Sequence, residues 1–531
     1  MKNVDLIVQM LEDAGVKWAF GVPSGPVLPL IEAMRNSSIQ YTLTASETSA
    51  GFMAQAVGAL SGVPGVCVST LGPGATNMAT GVGAAWLDRS PVIAITCNVD
   101  SAWLDRRIQM RIDHEALYSP LTKASFGLRH GKVASQLAEA LAIARAEPPG
   151  PVHLDLPEDV GTATPTESAT SVESNHKLPP IPASTFEQVS AALAKAKRPL
   201  LIGGLTLTRA SQPKRLVDFI DKQGLPFILT LHAKGFLPES HANYAGVLGR
   251  ARRSDVQAFV HQADLIVAVG YDPIEINYEE WAGDTPIVHL STETAERGEA
   301  LRLEVNAAGD LNAAIESLAA LPTQANDWSA TEFEAHRRNL DEQLRPEGAG
   351  FSLNHVLDVM RRQIPPDAIL AYDVGAHTHQ IATQWRTDEP NTCLCTNGWS
   401  SMGYGIPAAY AAKLVNPRRT VVGVVGDGCF QMTAGELAMG RRLNLNVPII
   451  VLNDGWLSLL KVKQERKGYG LSGVRLGDPP PSPPHYFGVP VRSAKNEAEL
   501  GEALSWGLNL NGPSVIEAYV DAEIYSQTVY D

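Results

Sequence analysis

Two acidic turns close two apolar runs within residues 421–460, VVGVVGDGCFQMTAGELAMGRRLNLNVPIIVLNDGWLSLL. The first run ends in Gly426-Asp427-Gly428, with Cys429 next, and the second in Asn453-Asp454-Gly455-Trp456. Short β-branched runs of this kind read as buried strands, and a helix is expected between them from about Thr433. Both turns then lie at the carboxyl edge of a parallel sheet, where α/β proteins bind ligands. Carboxylate, amide and carbonyl oxygens suit a hard cation such as Mg²⁺, while backbone N–H groups at a glycine turn suit a phosphate. A metal-bridged diphosphate satisfies both. Either turn alone is more often an ordinary turn; the pair in a strand-helix-strand setting points to the ligand.

The elements that must position these turns recur along the chain. WAFGV, GVCVST and PVIAIT form one group, PLLIGG, DLIVAVG and PIVHLS a second, and AILAYD, TVVGVVGDG and VPIIVLND a third, each alternating with helical segments. Such alternation predicts three α/β domains, each a doubly wound parallel sheet. The polar stretch TATPTESATSVESNHKLPPIPAS and the helical link LPTQANDWSATEFEAHRRNL place the junctions near 165–185 and 325–350, giving domains at 1–165, 185–325 and 350–531.

A formal charge of −14 leaves no basic footprint for nucleic acid. The five cysteines are odd in number and lack zinc-ribbon spacing, and Cys393-Leu394-Cys395 reads as alternate positions of a strand. MKNVDLIVQMLEDAGV reads as an amphipathic helix rather than a signal peptide or a membrane span, so a reducing cytoplasm is expected.

The 421–460 segment resembles the cofactor motif of the thiamine diphosphate-dependent enzymes, which opens Gly-Asp-Gly and closes Asn-Asn after a fixed interval. The resemblance implies thiamine diphosphate and Mg²⁺, with Asp427, Asp454 and the carbonyl of Trp456 as metal ligands and Gly426, Gly428 and Cys429 beside the diphosphate. Asp454 stands where most members have Asn; a register shifted by one makes Asn453 the ligand and Gly455 the carbonyl. ASETSAGFMAQAVGAL with the Gly-Pro-Gly-Ala-Thr-Asn run at 72–77 resembles the pyrimidine-binding domain. It implies Glu47 as the carboxyl that activates the cofactor's amino group, although a lone glutamate at a helix start is usually a surface residue. DVGAHTHQ implies diphosphate contacts at Val374, Gly375, Ala376 and His377. NGWSSMGYGIPAAY implies that Met402 wedges between the cofactor rings and that the Ser400 carbonyl holds the amino group. Taken alone, His377 is a structural histidine and Met402 core filler.

Within this family the chain most resembles acetolactate synthases of the catabolic type, through ADLIVAVGYDPIEINYEEW and VKQERKGYGLSGVRLG. That implies a small 2-keto acid or acyl substrate, decarboxylation followed by carboligation, and no FAD; GLTLT at 204–208 reads as a strand-ending turn more readily than as a nucleotide loop. Substrate-pocket candidates are Ser24, Thr70, Gln109 and Met110. Ser46 replaces the usual His before the glutamate, and Thr70 falls where benzoylformate decarboxylases have His, which disfavours simple decarboxylation. His114 is read as a surface residue at least as readily as a site residue. A benzoylformate-type decarboxylase stays open, as does a 2-hydroxyacyl-coenzyme A lyase or oxalyl-type decarboxylase, whose basic rim would draw on Arg250, Arg252 and Arg253. The resemblance also implies a site shared between subunits, with a homodimer the minimum and a homotetramer the expected assembly.

Overall fold

Each apolar run between glycine and proline breaks becomes a strand, and the strands assemble into three sheets. The structure, a computed structural model, describes residues 1–170, 177–276, 281–295, 301–346 and 350–529. Parts of both expected domain junctions, and residues 277–280 of the ADLIVAVGYDPIEINYEEW segment, lie outside the described residues.

The first sheet holds β1 Trp18–Gly21, β2 Gln40–Leu43, β3 Gly65–Thr70, β4 Val92–Asn98, β5 Ala124–Gly127 and β6 Pro151–Pro157, ordered β2-β1-β3-β4-β6-β5. The second holds β7 Pro199–Gly203, β8 Phe227–Leu229, β9 Tyr244–Val247, β10 Leu265–Val269, β11 Ile287–Ser291 and β12 Leu303–Ala308, ordered β12-β11-β10-β7-β8-β9. In the third, β13 Ile369–Tyr372, β14 Cys393–Leu394, β15 Val421–Gly426, β16 Pro448–Asn453, β17 His485–Tyr486, β18 Val489–Ala494 and β19 Ser514–Tyr519 run β14-β13-β15-β16-β19-β18-β17. Every described pairing between these strands is parallel except β17 with β18. Three doubly wound α/β sheets are thus the architecture of the chain.

Between the first and third sheets the packing is continuous. The helix Glu47–Ser61 lies against the helices Pro73–Leu87 and Gly405–Val415. Small residues permit the approach: a Cβ on Gly51 would lie 2.7 Å from Gly81 Cα. Phe52 and Tyr404 meet edge to face across this seam, centroids 5.5 Å apart, in one buried apolar cluster.

One local expectation is corrected. The helix after β15 begins at Asp427 and runs to Thr433, rather than beginning near Thr433. Extended Gly426 provides its N-cap, and an acidic first residue suits the positive end of the helix dipole.

Candidate functional site

The third sheet reverses winding direction between β13 and β15: the chain leaves β13 toward β14 on one flank, and β15 toward β16 on the other. Loops leaving such neighbours splay apart and open a crevice at their carboxyl ends. Register pairs Gly426 with Leu452, so Asp427 and Asp454 emerge from adjacent strands at one edge.

A cavity of about 200 Å³ occupies that crevice. Its lining contains Val374–His377, Ser400, Met402, Gly426–Cys429, Asp454 and Trp456. The structure therefore brings together the candidates drawn from four separated sequence segments. Asn453 is buried at the end of β16, outside this lining, and its carbonyl accepts from Val520 N–H at 3.2 Å.

The acidic pair is tightly built. Asp427 Oδ1 accepts from Gly428 N–H at 2.8 Å and Oδ2 from Gly455 N–H at 2.7 Å. Asp454 Oδ1 accepts from Trp456 N–H at 2.9 Å and Oδ2 from Ser458 Oγ at 2.7 Å. Burial, then the neighbouring Asp427 charge, push the Asp454 carboxyl up to about 7. Burial also raises Asp427. Two carboxylates raised in this way, Asp427 buried and Asp454 mostly so, form an oxygen donor set that fits a divalent cation.

The lining beside Gly426 offers a place for an anion. His377 is 5% exposed, lines the cavity, and its Nε2 has no partner among the described residues. Burial pulls its imidazole down to about 4, so at neutral pH it is an uncharged ring beside the amino end of the helix Ala376–Gln384. Gly426 and Gly428 leave room that side chains would fill: a Cβ on Gly428 would lie 2.7 Å from Leu457 Cδ2 and 3.4 Å from Met402 Cε.

Sequence reasoning missed several of these groups. Asp373 is fully buried; its Oδ1 accepts from Val374 and Gly403 N–H, both at 2.8 Å, and its Oδ2 from Gly405 N–H at 2.9 Å. It thereby fastens the start of the 374–376 loop to the Met402 turn. A signal existed: AILAYD, VVGVVGD and VPIIVLND all end in Asp. Leu452, Leu457, Leu459, Leu460 and Tyr525 add an apolar wall. Tyr525 arrives from the far end of the chain.

The remaining candidates lie elsewhere. Glu47 starts its helix behind β2, buried, with Oε2 accepting from Asn77 Nδ2 at 3.1 Å, and does not line the cavity. Ser24 follows β1 and Thr70 ends β3, on the carboxyl edge of the first sheet, and each has a buried hydroxyl without a partner among the described residues. Gln109 and Met110 sit in an exposed loop, Met110 with φ +64° and its carbonyl against Gly72.

His114 is not a surface residue: it is 1% exposed. Its Nε2 accepts from Gly72 N–H at 3.1 Å, which leaves the proton on Nδ1, 2.8 Å from Asp155 Oδ1. The surface reading failed because the residue opens a short helix, His114–Tyr118, that folds under the Gly72 loop.

Comparison with known proteins adds independent findings. Residues 1–117 match the family described as thiamine pyrophosphate enzyme, N-terminal TPP binding domain. Residues 186–318 match its central domain and residues 373–518 its C-terminal TPP binding domain. The chain is 30% identical to the acetolactate synthase of Bacillus subtilis, over 98% of this chain and 93% of that one. It is also 30% identical to the acetolactate synthase isozyme 1 large subunit of Escherichia coli, over 98% and 94%. The probable acetolactate synthase large subunit of Methanocaldococcus jannaschii is 29% identical, over 98% and 92%.

Proposed function

We propose, from the premise that the chain belongs to the thiamine pyrophosphate enzyme family, that it is a Mg²⁺-dependent carboligase that decarboxylates a small 2-keto acid and joins the remaining fragment to a second carbonyl. When bound, thiamine diphosphate supplies a carbanion that adds to a carbonyl carbon and stores its electrons. The observation that carries the reading is the cavity that gathers the Asp427 and Asp454 carboxylates with His377, whose Nε2 has no partner among the described residues.

The chain's own residues divide the work. Asp427, Asp454 and the Trp456 carbonyl would hold Mg²⁺, and His377 with the 374–376 backbone would receive the diphosphate. Met402, across from Gly428, would wedge the cofactor's rings toward each other, and the Ser400 carbonyl would hold the amino group. Glu47 would hold the proton that keeps that amino group in its basic form. Because Glu47 lies outside the cavity of its own chain, a second copy would supply it, so the reading requires a homodimer at least and accommodates a homotetramer. The similarity to acetolactate synthases, and the apolar wall of Leu457, Leu459 and Leu460, support a short aliphatic keto acid such as pyruvate.

The reading includes no flavin and places the enzyme in the cytoplasm. All five cysteines are free and buried, and among the described residues no helix is long and apolar enough to cross a membrane. A coenzyme A substrate is less well supported. Arg250 is bonded to Asn397, and Arg252 to Asp255 and the Gln527 carbonyl, which commits two arginines of the supposed basic rim to holding the fold.

The test is incubation of the purified chain with thiamine diphosphate, Mg²⁺ and pyruvate, with products identified by mass spectrometry. Acetolactate and CO₂, absent with Glu47→Gln, are expected; acetaldehyde alone would make it a decarboxylase.

A further inference from the structure

Ser400 has φ +51°, a left-handed backbone that a non-glycine residue keeps only where its surroundings over-determine it. The residues on either side show how. At the carboxyl end, Gly403 and Gly405 N–H donate to buried Asp373, from the same sheet. At the amino end the acceptor comes from another domain. Asn397 N–H and Gly398 N–H donate to one oxygen of Asp88, at 3.1 and 2.8 Å.

Asp88 is 6% exposed and caps the helix Pro73–Leu87 of the first sheet's domain. Its other oxygen accepts from Gln55 Nε2 at 2.9 Å, which fixes the carboxylate plane. The contact is close on both sides. A Cβ on Gly398 would lie 2.6 Å from Leu87 Cβ and 3.0 Å from the Leu87 carbonyl oxygen, and a Cβ on Gly83 would lie 2.8 Å from the Trp399 indole. Asn397 is held from the second sheet's domain as well, donating from Nδ2 to the Glu275 carbonyl at 3.0 Å and accepting from Arg250.

We infer that Asp88 is a positioning residue for the cofactor: it sets the backbone of 397–402 so that the Ser400 carbonyl and the Met402 side chain face the cavity. The inference rests on the cofactor placement proposed above. Asp88 touches no reacting atom; it acts through two N–H bonds and the turn they hold, clamped between Asp88 at one end and Asp373 at the other. Charge matters, because a carboxylate accepts two backbone N–H groups on one oxygen more strongly than a neutral group does.

The experiment uses the full chain with Mg²⁺ and reads three quantities for wild type, Asp88→Ala, Asp88→Asn and Gly398→Ala. They are the thiamine diphosphate dissociation constant, the rate of C2 hydrogen–deuterium exchange of the bound cofactor by quenched NMR, and the melting temperature of the cofactor-free protein. Asp88→Ala is expected to weaken binding and slow exchange, each by about tenfold or more, the scale seen when a group orienting a site residue is lost. Asp88→Asn, which keeps an acceptor oxygen but loses the charge, is expected to recover part of both. Gly398→Ala leaves Asp88 intact but forces the segment off Leu87, and is expected to reproduce the Asp88→Ala pattern; it also carries the test should Asp88→Ala not fold. Unchanged binding and exchange in Asp88→Ala and in Gly398→Ala, with only the melting temperature lowered, would overturn the inference and leave Asp88 a structural cap. A wild-type chain that does not bind thiamine diphosphate would overturn the cofactor placement itself.

Discussion

Asp427 and Gly455, 28 residues apart, are joined directly: the Gly455 N–H donates to Asp427 Oδ2 at 2.7 Å. The carboxylate thus shapes the turn that carries Asp454 as well as offering oxygens of its own. Asp427→Ala removes both roles. Carboligase activity is expected to fall by at least about a hundredfold, with thiamine diphosphate binding lost in calorimetric titration. Near-normal turnover would remove Asp427 from the metal site.

Glu47→Gln keeps an oxygen to accept from Asn77, so the melting temperature should stay within a few degrees while turnover drops at least about a hundredfold. Glu47→Gln and Asp427→Ala chains, mixed after mild dissociation, should regain part of the activity, because a hybrid dimer holds one site with both groups intact. No recovery in verified hybrids would refute a site shared between chains.

Asp454→Asn keeps the shape of the turn and removes the charge that burial and Asp427 make unfavourable. At pH 8 the cofactor-free variant should be more stable in urea unfolding by on the order of 1 kcal/mol, with weaker Mg²⁺ affinity. A less stable variant would mean that the two hydrogen bonds to Asp454 outweigh the charge.

His114→Ala leaves Asp155 buried without the ring that faces it, and frees the Gly72 N–H. A stability loss of about 3 kcal/mol is expected from chemical denaturation. His114→Gln should recover part of it if its amide oxygen accepts from Gly72.

His153 is fully buried between Ser125 and Thr96, and burial drives its imidazole down to about 3. The unfolded chain therefore takes up a proton below about pH 6.5 that the folded chain refuses. This histidine must lower stability as pH falls, by up to about 1.4 kcal/mol per pH unit. Urea titrations from pH 7 to 5 should show a shallower decline for His153→Gln than for wild type; an identical slope would place its protonation elsewhere.

Much of the cofactor half of the site was legible because it is local. Strand periodicity fixed where the runs end, and Gly-Asp-Gly, Asn-Asp-Gly and the DVGAHTHQ segment follow directly on those ends. Parallel pairing then sends them to a common edge, so linear spacing sufficed to gather Asp427 and Asp454, while His377 and Met402 were picked out only by the family resemblance. The helix start at Asp427 was misjudged by several residues, because the N-cap is an extended glycine without a capping side chain.

What the tertiary structure decided depends on contacts between distant segments. Asp88 joins the site only through the N–H groups of Asn397 and Gly398 that donate to it across a domain seam, and Tyr525 only through its place in the cavity lining. His114 went from surface to core because Gly72 folds over it. That Glu47 stands apart from its own chain's cavity is likewise written in no local pattern. Hydrogen bonding and burial are set by which surfaces meet, and a sequence specifies that meeting only through the whole packed chain.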